Sequence, residues 1–339
     1  MIGMKRDKRT TTPNEQIEIT ITGLGSSGEG VGKVKGFTYF IPGALPGERV
    51  TAAVTAKKKN YGLGRLEKIL VPSPDRITPP CPVYEACGGC QIQHLAYEAQ
   101  LVQKRQTVID ALERIGHFSG IKVNPTWGAD DPWHYRNKMQ VPVAEGKKHS
   151  LSIGCFAQGT HHVIDVKRCL IQHDANNELT AVVRAWMERY HIPALKEDAR
   201  TGIVRHIMGR VGVHTGEIMV CLVTAVDQVP HMKDLVRMLR SQIPGLTSVV
   251  QNVNTRHTNV ILGPKTRLIY GKNTSHDPIG PLTFHISAQS LFQVNSEQVQ
   301  RLHDTVLDFA DLNGGAYVHV FYCGPGTITL FLPQHTQQS

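Results

Sequence analysis

The chain has 339 residues, 40% hydrophobic, 6% aromatic and 19% charged, enough for two or three domains each with its own core. Its start, MIGMKRDKRTTTPNEQ, lacks an apolar signal core, and no apolar run approaches the ~18 residues that cross a membrane, so a reducing cytoplasmic setting is expected. The formal charge of +9 points to a polyanionic partner, with nucleic acid first.

The charge is not evenly spread. Residues 1–70 hold twelve Lys and Arg against six Asp and Glu, which places +6 of the +9 in the first fifth of the chain. Residues 1–13 read as a basic disordered tail. Over 14–70, Ile17, Ile19 and Ile21 alternate with polar residues, and Gly or Pro recurs every eight to twelve positions, the pattern of a small β-barrel. Lys57, Lys58 and Lys59, with Tyr61 and Arg65, offer phosphate contacts beside a ring able to stack on a base.

Pro72, Pro74, Pro79 and Pro80 form a stiff linker into PCPVYEACGGCQIQ. Here Cys81, Cys87 and Cys90 are spaced C-x5-C-x2-C, and Cys169 stands alone downstream. Soft thiolates in such numbers suit zinc or an iron–sulfur cluster, and a reducing cytosol argues against disulfides. Spacing does not decide between the two metals. Nor does it fix the fourth ligand, since Cys155, Cys221 and Cys323 compete with Cys169.

Residues 95–116 place Leu101, Val108, Leu112 and Ile115 at helical intervals, with Gly116 as the expected C-cap. HYRNKMQVPV then opens a β-rich central region, interrupted by helices near 177–190 and 231–242, in which Arg136 and Lys138 are candidate RNA contacts. Cys155 and Cys221 lie in apolar runs and read as core. From Pro281 a strand leads into a helix that Asn295 and Gln298 could cap, and AYVHVFYCGPGT reads as an apolar strand ending in a Gly-bearing turn.

Together, CPVYEACGGCQIQHL, HYRNKMQVPV, HVIDVKRCLIQ, SLFQVN and YCGPGT give the chain its affiliation. It resembles the iron–sulfur-containing bacterial RNA uracil-5-methyltransferases acting on 23S ribosomal RNA. The resemblance implies an α+β multidomain fold: an OB-like TRAM barrel over 14–70, a central β-rich α/β domain over 71–280 with the cluster loop, and the beginning of a Rossmann-like methyltransferase domain over 281–339. It implies a [4Fe–4S] cluster on Cys81, Cys87, Cys90 and Cys169, and S-adenosylmethionine contacts from Gln293, Tyr322, Gly324 and Gly326. It also implies 23S rRNA as partner, with no DNA or membrane, and a monomer. The family's chemistry adds a cysteine thiolate to uracil C6, making C5 nucleophilic toward the sulfonium methyl. Members carry that cysteine beyond the YCGxGT turn, so the expectation is a C-terminally truncated, inactive chain without the nucleophile. The competing reading is a metal-stapled RNA-binding module without catalysis.

Overall fold

The computed structural model describes residues 15–146, 150–196, 201–256, 259–312, 318–323 and 326–332. Contacts divide the chain into two compact units, one of residues 1–84 and 90–128, the other of residues 85–89 and 129–339.

In the first unit, β1 (Gln16–Leu24), β2 (Gly30–Val34), β3 (Phe37–Ile41), β4 (Arg49–Lys57) and β5 (Tyr61–Val71) close into a barrel in the order β1-β2-β3-β5-β4. The period-two alternation has a direct consequence. Ile17, Ile19 and Ile21 point inward to Tyr39, Ile41, Val50, Ala52 and Val54. Burying each such aliphatic side chain contributes on the order of 1.5–3 kcal/mol.

After the linker comes α1 (Tyr97–Asp110), continued by a π turn over Ala111–Ile115. Its apolar spacing leads to a different outcome from the one expected. None of its residues is buried, and Val108 and Ile115 stay exposed. Gly116 ends it in the right-handed region at φ −77, not as a left-handed cap.

In the second unit a seven-stranded sheet has the order β12-β11-β10-β9-β6-β7-β8. Its strands are β6 (Lys138–Glu145), β7 (Leu151–Phe156), β8 (Val163–Asp165), β9 (Val204–Val211), β10 (Ile218–Thr224), β11 (Leu246–Val253) and β12 (Lys265–Gly271). Helices α2 (Asp174–Arg189) and α3 (Met232–Gln242) cover one face, where Ile218, Val220 and Leu222 join Leu179, Trp186 and Leu235. Met219, Cys221 and Val223 point to the opposite face and pack with Met208, Val250 and Ala288. Both faces are covered, so every residue of β9 and β10 is buried; β10 reads as an apolar run ending at Thr224, while β9 carries Arg205, His206 and Arg210 into the buried layer.

The last part of this unit holds the hairpin β13 (Ser275–Ile279) and β14 (Leu282–Ile286), then α4 (Ser296–Ala310) and the short α5 (Thr327–Phe331). Ile279, Ile286, Phe292, Val299 and Phe331 form its core. The side chain of Asn295 caps α4 by accepting from the Gln298 N–H at 3.1 Å. The apolar strand expected before the glycine turn is not formed at 318–323, which is loop and turn with Phe321 and Tyr322 exposed. A strand needs a partner for its backbone groups, and none pairs with this segment among the described residues.

Candidate RNA and cofactor site

The basic residues of the barrel sit where β4 turns into β5. The turn is closed by the Lys58 N–H donating to the Tyr61 carbonyl at 2.8 Å, which leaves Lys58 and Lys59 exposed at its tip. Lys57 is tied to Glu15 at 2.5 Å and Arg65 to Glu67 at 2.6 Å. The Glu15 hydrogen bond also holds the Lys57 pKa above its ordinary value. Tyr61 keeps an exposed face while its ring packs edge-on against Phe40, centroids 5.5 Å apart. Among the described residues the turn therefore presents two cations outside any ion pair beside one half-exposed aromatic ring.

The linker that follows is clamped to the barrel by a buried ion pair. Arg76 donates through Nε to Oε1 of Glu48 at 2.6 Å and through an Nη to Oε2 at 2.9 Å, and Leu45 and Ser73 donate their backbone N–H groups to the same carboxylate. Burial pushes the Glu48 pKa up, but these donors outweigh it and the carboxyl lies below its ordinary value. Further along, the Tyr84 hydroxyl contacts the Gln91 carbonyl and His94 Nδ1, each at 2.6 Å, which ties Tyr84 to residues 91–94 within this unit. Burial first, and the Arg76 charge second, lower the His94 pKa to about 4, so the ring is neutral at physiological pH.

In the second unit Asn137 joins elements far apart in sequence. Its side-chain amide donates to the Gln293 carbonyl and to Ser296 Oγ, both at 2.9 Å, and its backbone N–H donates to the Val294 carbonyl at 2.9 Å. Ser296 in turn donates to buried Asp277 at 3.2 Å. The neighbouring Arg136 backbone bridges both Gln172 and Asn295. The Cys169 backbone is held by Asn177, whose amide accepts from its N–H at 2.9 Å and donates to its carbonyl at 3.2 Å. Arg136, Lys138, Gln293 and the loop of Cys169 thus share one hydrogen-bonded framework.

That framework is cationic. Lys138 pairs in register with Arg210 across β6 and β9, so the two side chains lie on the same face of the sheet. Burial and the charges of Arg210 and Arg136 lower the Lys138 pKa to about 8. Arg210 itself is buried, its pKa lowered to about 10 by desolvation, and it donates to the Ala288 and Ser290 carbonyls. Neither pKa nor register was legible from residue type, so Arg210 escaped the sequence reading.

Of the expected cofactor residues, Gln293 has an exposed side chain and a carbonyl held by Asn137. Tyr322 is fully exposed at φ 57. Gly326 has φ 79, a left-handed conformation that favours glycine, and its N–H donates to the Cys323 carbonyl at 2.9 Å. Gly324 lies outside the described residues. The exposed ring and the open glycine turn fit a ligand that comes close to backbone.

All seven cysteines are free thiols. Cys81 and Cys90 belong to the first unit, and Cys87, Cys155 and Cys169 to the second. The donor chemistry fits a thiolate-bound centre. Among the described residues no group of three or more His, Cys, Asp or Glu side chains is gathered to hold a metal, and the four expected ligands are divided between the two units. Cys87 has a different neighbour: a hydrogen bond from Cys155 lowers its pKa to about 6 against the opposing effect of burial. Cys155, expected in the core, is therefore a half-buried partner of Cys87. Cys221 is core, and burial drives its thiol pKa up to about 12.

A TRAM domain model matches residues 10–66, which contain most of the barrel. Over 334 residues the chain is 44% identical to an uncharacterized RNA methyltransferase of Halalkalibacterium halodurans, covering 98% of this chain and 73% of that protein. Over 325 residues it is 43% identical to one of Bacillus cereus, covering 96% and 71%. The chain belongs to this family of RNA methyltransferases. Its fold is similar to that of the Pyrococcus abyssi tRNA (uracil-54, C5)-methyltransferase, crystallised with S-adenosyl-L-homocysteine, with TM-score 0.71 and 24% identity over 94% of this chain and 70% of that one. Among the described residues no helix is long and apolar enough to cross a membrane.

Proposed function

We propose that the chain serves an S-adenosylmethionine-dependent methyltransferase, acting as a monomer in the cytoplasm on C5 of a uridine in 23S rRNA. The observation that carries the reading is the Asn137 framework, which fastens the Gln293 segment to a cationic sheet face in a chain of the RNA methyltransferase family. The uracil C5 specificity named for the Pyrococcus protein of similar fold supports the choice of base. S-adenosylmethionine supplies the transferable methyl when bound; Gln293, Tyr322 and the turn of Gly324 and Gly326 would hold it. Arg136, Lys138 and the Lys58–Lys59 turn neutralise phosphates and position the strand, while exposed Tyr61 offers a stacking surface.

The nucleophile that would add to C6 is assigned to none of the seven cysteines. Cys221 is buried with a high pKa, and Cys323 stands in the cofactor turn. Residues 1–339 alone are accordingly read as binding RNA without turnover. The thiols of Cys81, Cys87, Cys90 and Cys169 are the proposed ligands of a [4Fe–4S] cluster, supported by their softness and their free state. Anaerobic reconstitution with iron and sulfide tests this: visible cluster absorbance is expected, and its persistence in C169S removes Cys169 from the ligand set.

For the substrate, the chain is titrated with unmodified 23S rRNA and tRNA transcripts and with labelled S-adenosylmethionine. Tighter binding of 23S rRNA is expected; equal or tighter tRNA binding overturns that choice. Methyl transfer by residues 1–339 would place the nucleophile among the cysteines discussed above.

A further inference from the structure

The side chains of Cys87 and Cys155 both flank Gly89. The backbone around them explains why they stay together. The Gly88 N–H donates to the Phe156 carbonyl at 2.9 Å, which pins residue 88 against the end of β7 that carries Cys155. A β-carbon at Gly88 would lie 2.8 Å from that carbonyl oxygen and 2.9 Å from the Gln158 nitrogen, so only glycine allows the two backbones to approach this closely. The Gly89 N–H donates to Cys87 Sγ at 3.4 Å, and a β-carbon at Gly89 would lie 3.4 Å from Cys87 Sγ and 3.7 Å from Cys155 Sγ. Both thiols are half-buried, open enough for a small reagent and sheltered from large ones.

We propose that Cys87 and Cys155 form a peroxide-convertible disulfide site, so that Cys155, which the proposed ligand set leaves out, is the thiol that captures Cys87 when no metal holds it. The Cys87 sulfur attacks one peroxide oxygen, the O–O bond breaks, and water leaves with Cys87 as the sulfenic acid. The Cys155 sulfur then attacks the Cys87 sulfur and the hydroxyl departs as a second water. Two thiols and one hydrogen peroxide thus give one disulfide and two waters, and a dithiol reverses the step by exchange. Both sulfurs already lie against Gly89, and the bond brings them to about 2 Å.

The disulfide goes beyond the methyltransferase reading; only its competition with a cluster rests on that reading. The metal-free full chain is treated with hydrogen peroxide, quenched by alkylation and mapped by tandem mass spectrometry. A Cys87–Cys155 link is expected, lost in C155S and C87S, retained in C90S, and reversed by dithiothreitol. A link from Cys87 to Cys90 or Cys169, or alkylated Cys155 after full treatment, overturns the proposal. G88A is expected to lower the yield of the link at least several-fold; if that variant misfolds, C155S and C90S still decide. Peroxide treatment before reconstitution should abolish cluster absorbance in the wild type and spare it in C155S. Failure of reconstitution in both leaves the mapped link intact, so the two readings fail separately.

Discussion

Asn137 and Ser296, 159 positions apart, are joined by a hydrogen bond of 2.9 Å between two buried side chains. The same amide reaches the Gln293 carbonyl at 2.9 Å. One side chain thereby ties the first strand of the large sheet to the segment that leads into α4.

Replacing Asn137 by Ala removes both donors and leaves a partly buried carbonyl and a buried hydroxyl each short of one partner. A loss of about 1–3 kcal/mol is expected, read as a lower denaturant midpoint. Asn137→Asp should be worse, since it faces the Gln293 carbonyl with an acceptor and lies one hydroxyl from Asp277. Equal stability of the two variants would show that the amide protons do not hold the segment.

Glu48 and Arg76 are the corresponding tie in the first unit, and breaking a buried pair from one side costs about 3–5 kcal/mol. E48Q and R76M should each destabilise strongly, with the double variant less damaged than their sum. The pH sign follows from the lowered Glu48 pKa. The pair's contribution is present above the ordinary value of 4.5 and is lost as pH falls through the lower folded value. Acid unfolding curves of wild type and E48Q should therefore converge at low pH. Parallel curves would refute the assignment.

The barrel turn makes a graded prediction for RNA. Each cation that neutralises a phosphate adds about 0.7–0.9 to the slope of log affinity against log salt. K58A and K59A should each reduce the slope by nearly that amount, measured by fluorescence anisotropy. K57A and R65A should reduce it less, because Glu15 and Glu67 already engage those side chains. Four equal effects would mean that RNA displaces both carboxylates.

Lys138, with its pKa lowered to about 8, should make RNA binding depend on mildly alkaline pH. Affinity is expected to fall as pH rises through 8, because the ammonium loses its proton. K138R keeps its charge and should flatten the profile between pH 7 and about 9.5. A flat wild-type profile would remove Lys138 from the phosphate contacts.

Much of this protein was written in local pattern. Alternation at Ile17, Ile19 and Ile21 determined the barrel, because a period of two leaves one face to bury, and the basic excess of the first fifth marked a polyanionic partner. The motifs carrying Arg136, Gln293 and Gly326 placed the chain among RNA methyltransferases before any geometry. Pairings between distant positions were not legible. Residue type does not say that Lys138 sits opposite Arg210, that Glu15 engages Lys57, or that Cys155 leaves the core to meet Cys87. The spacing of α1 likewise promised a buried face that the tertiary structure does not bury. Local pattern sets which face of an element is apolar; only the packed chain decides what that face meets, and charge, proton affinity and thiol partnership all depend on that neighbour.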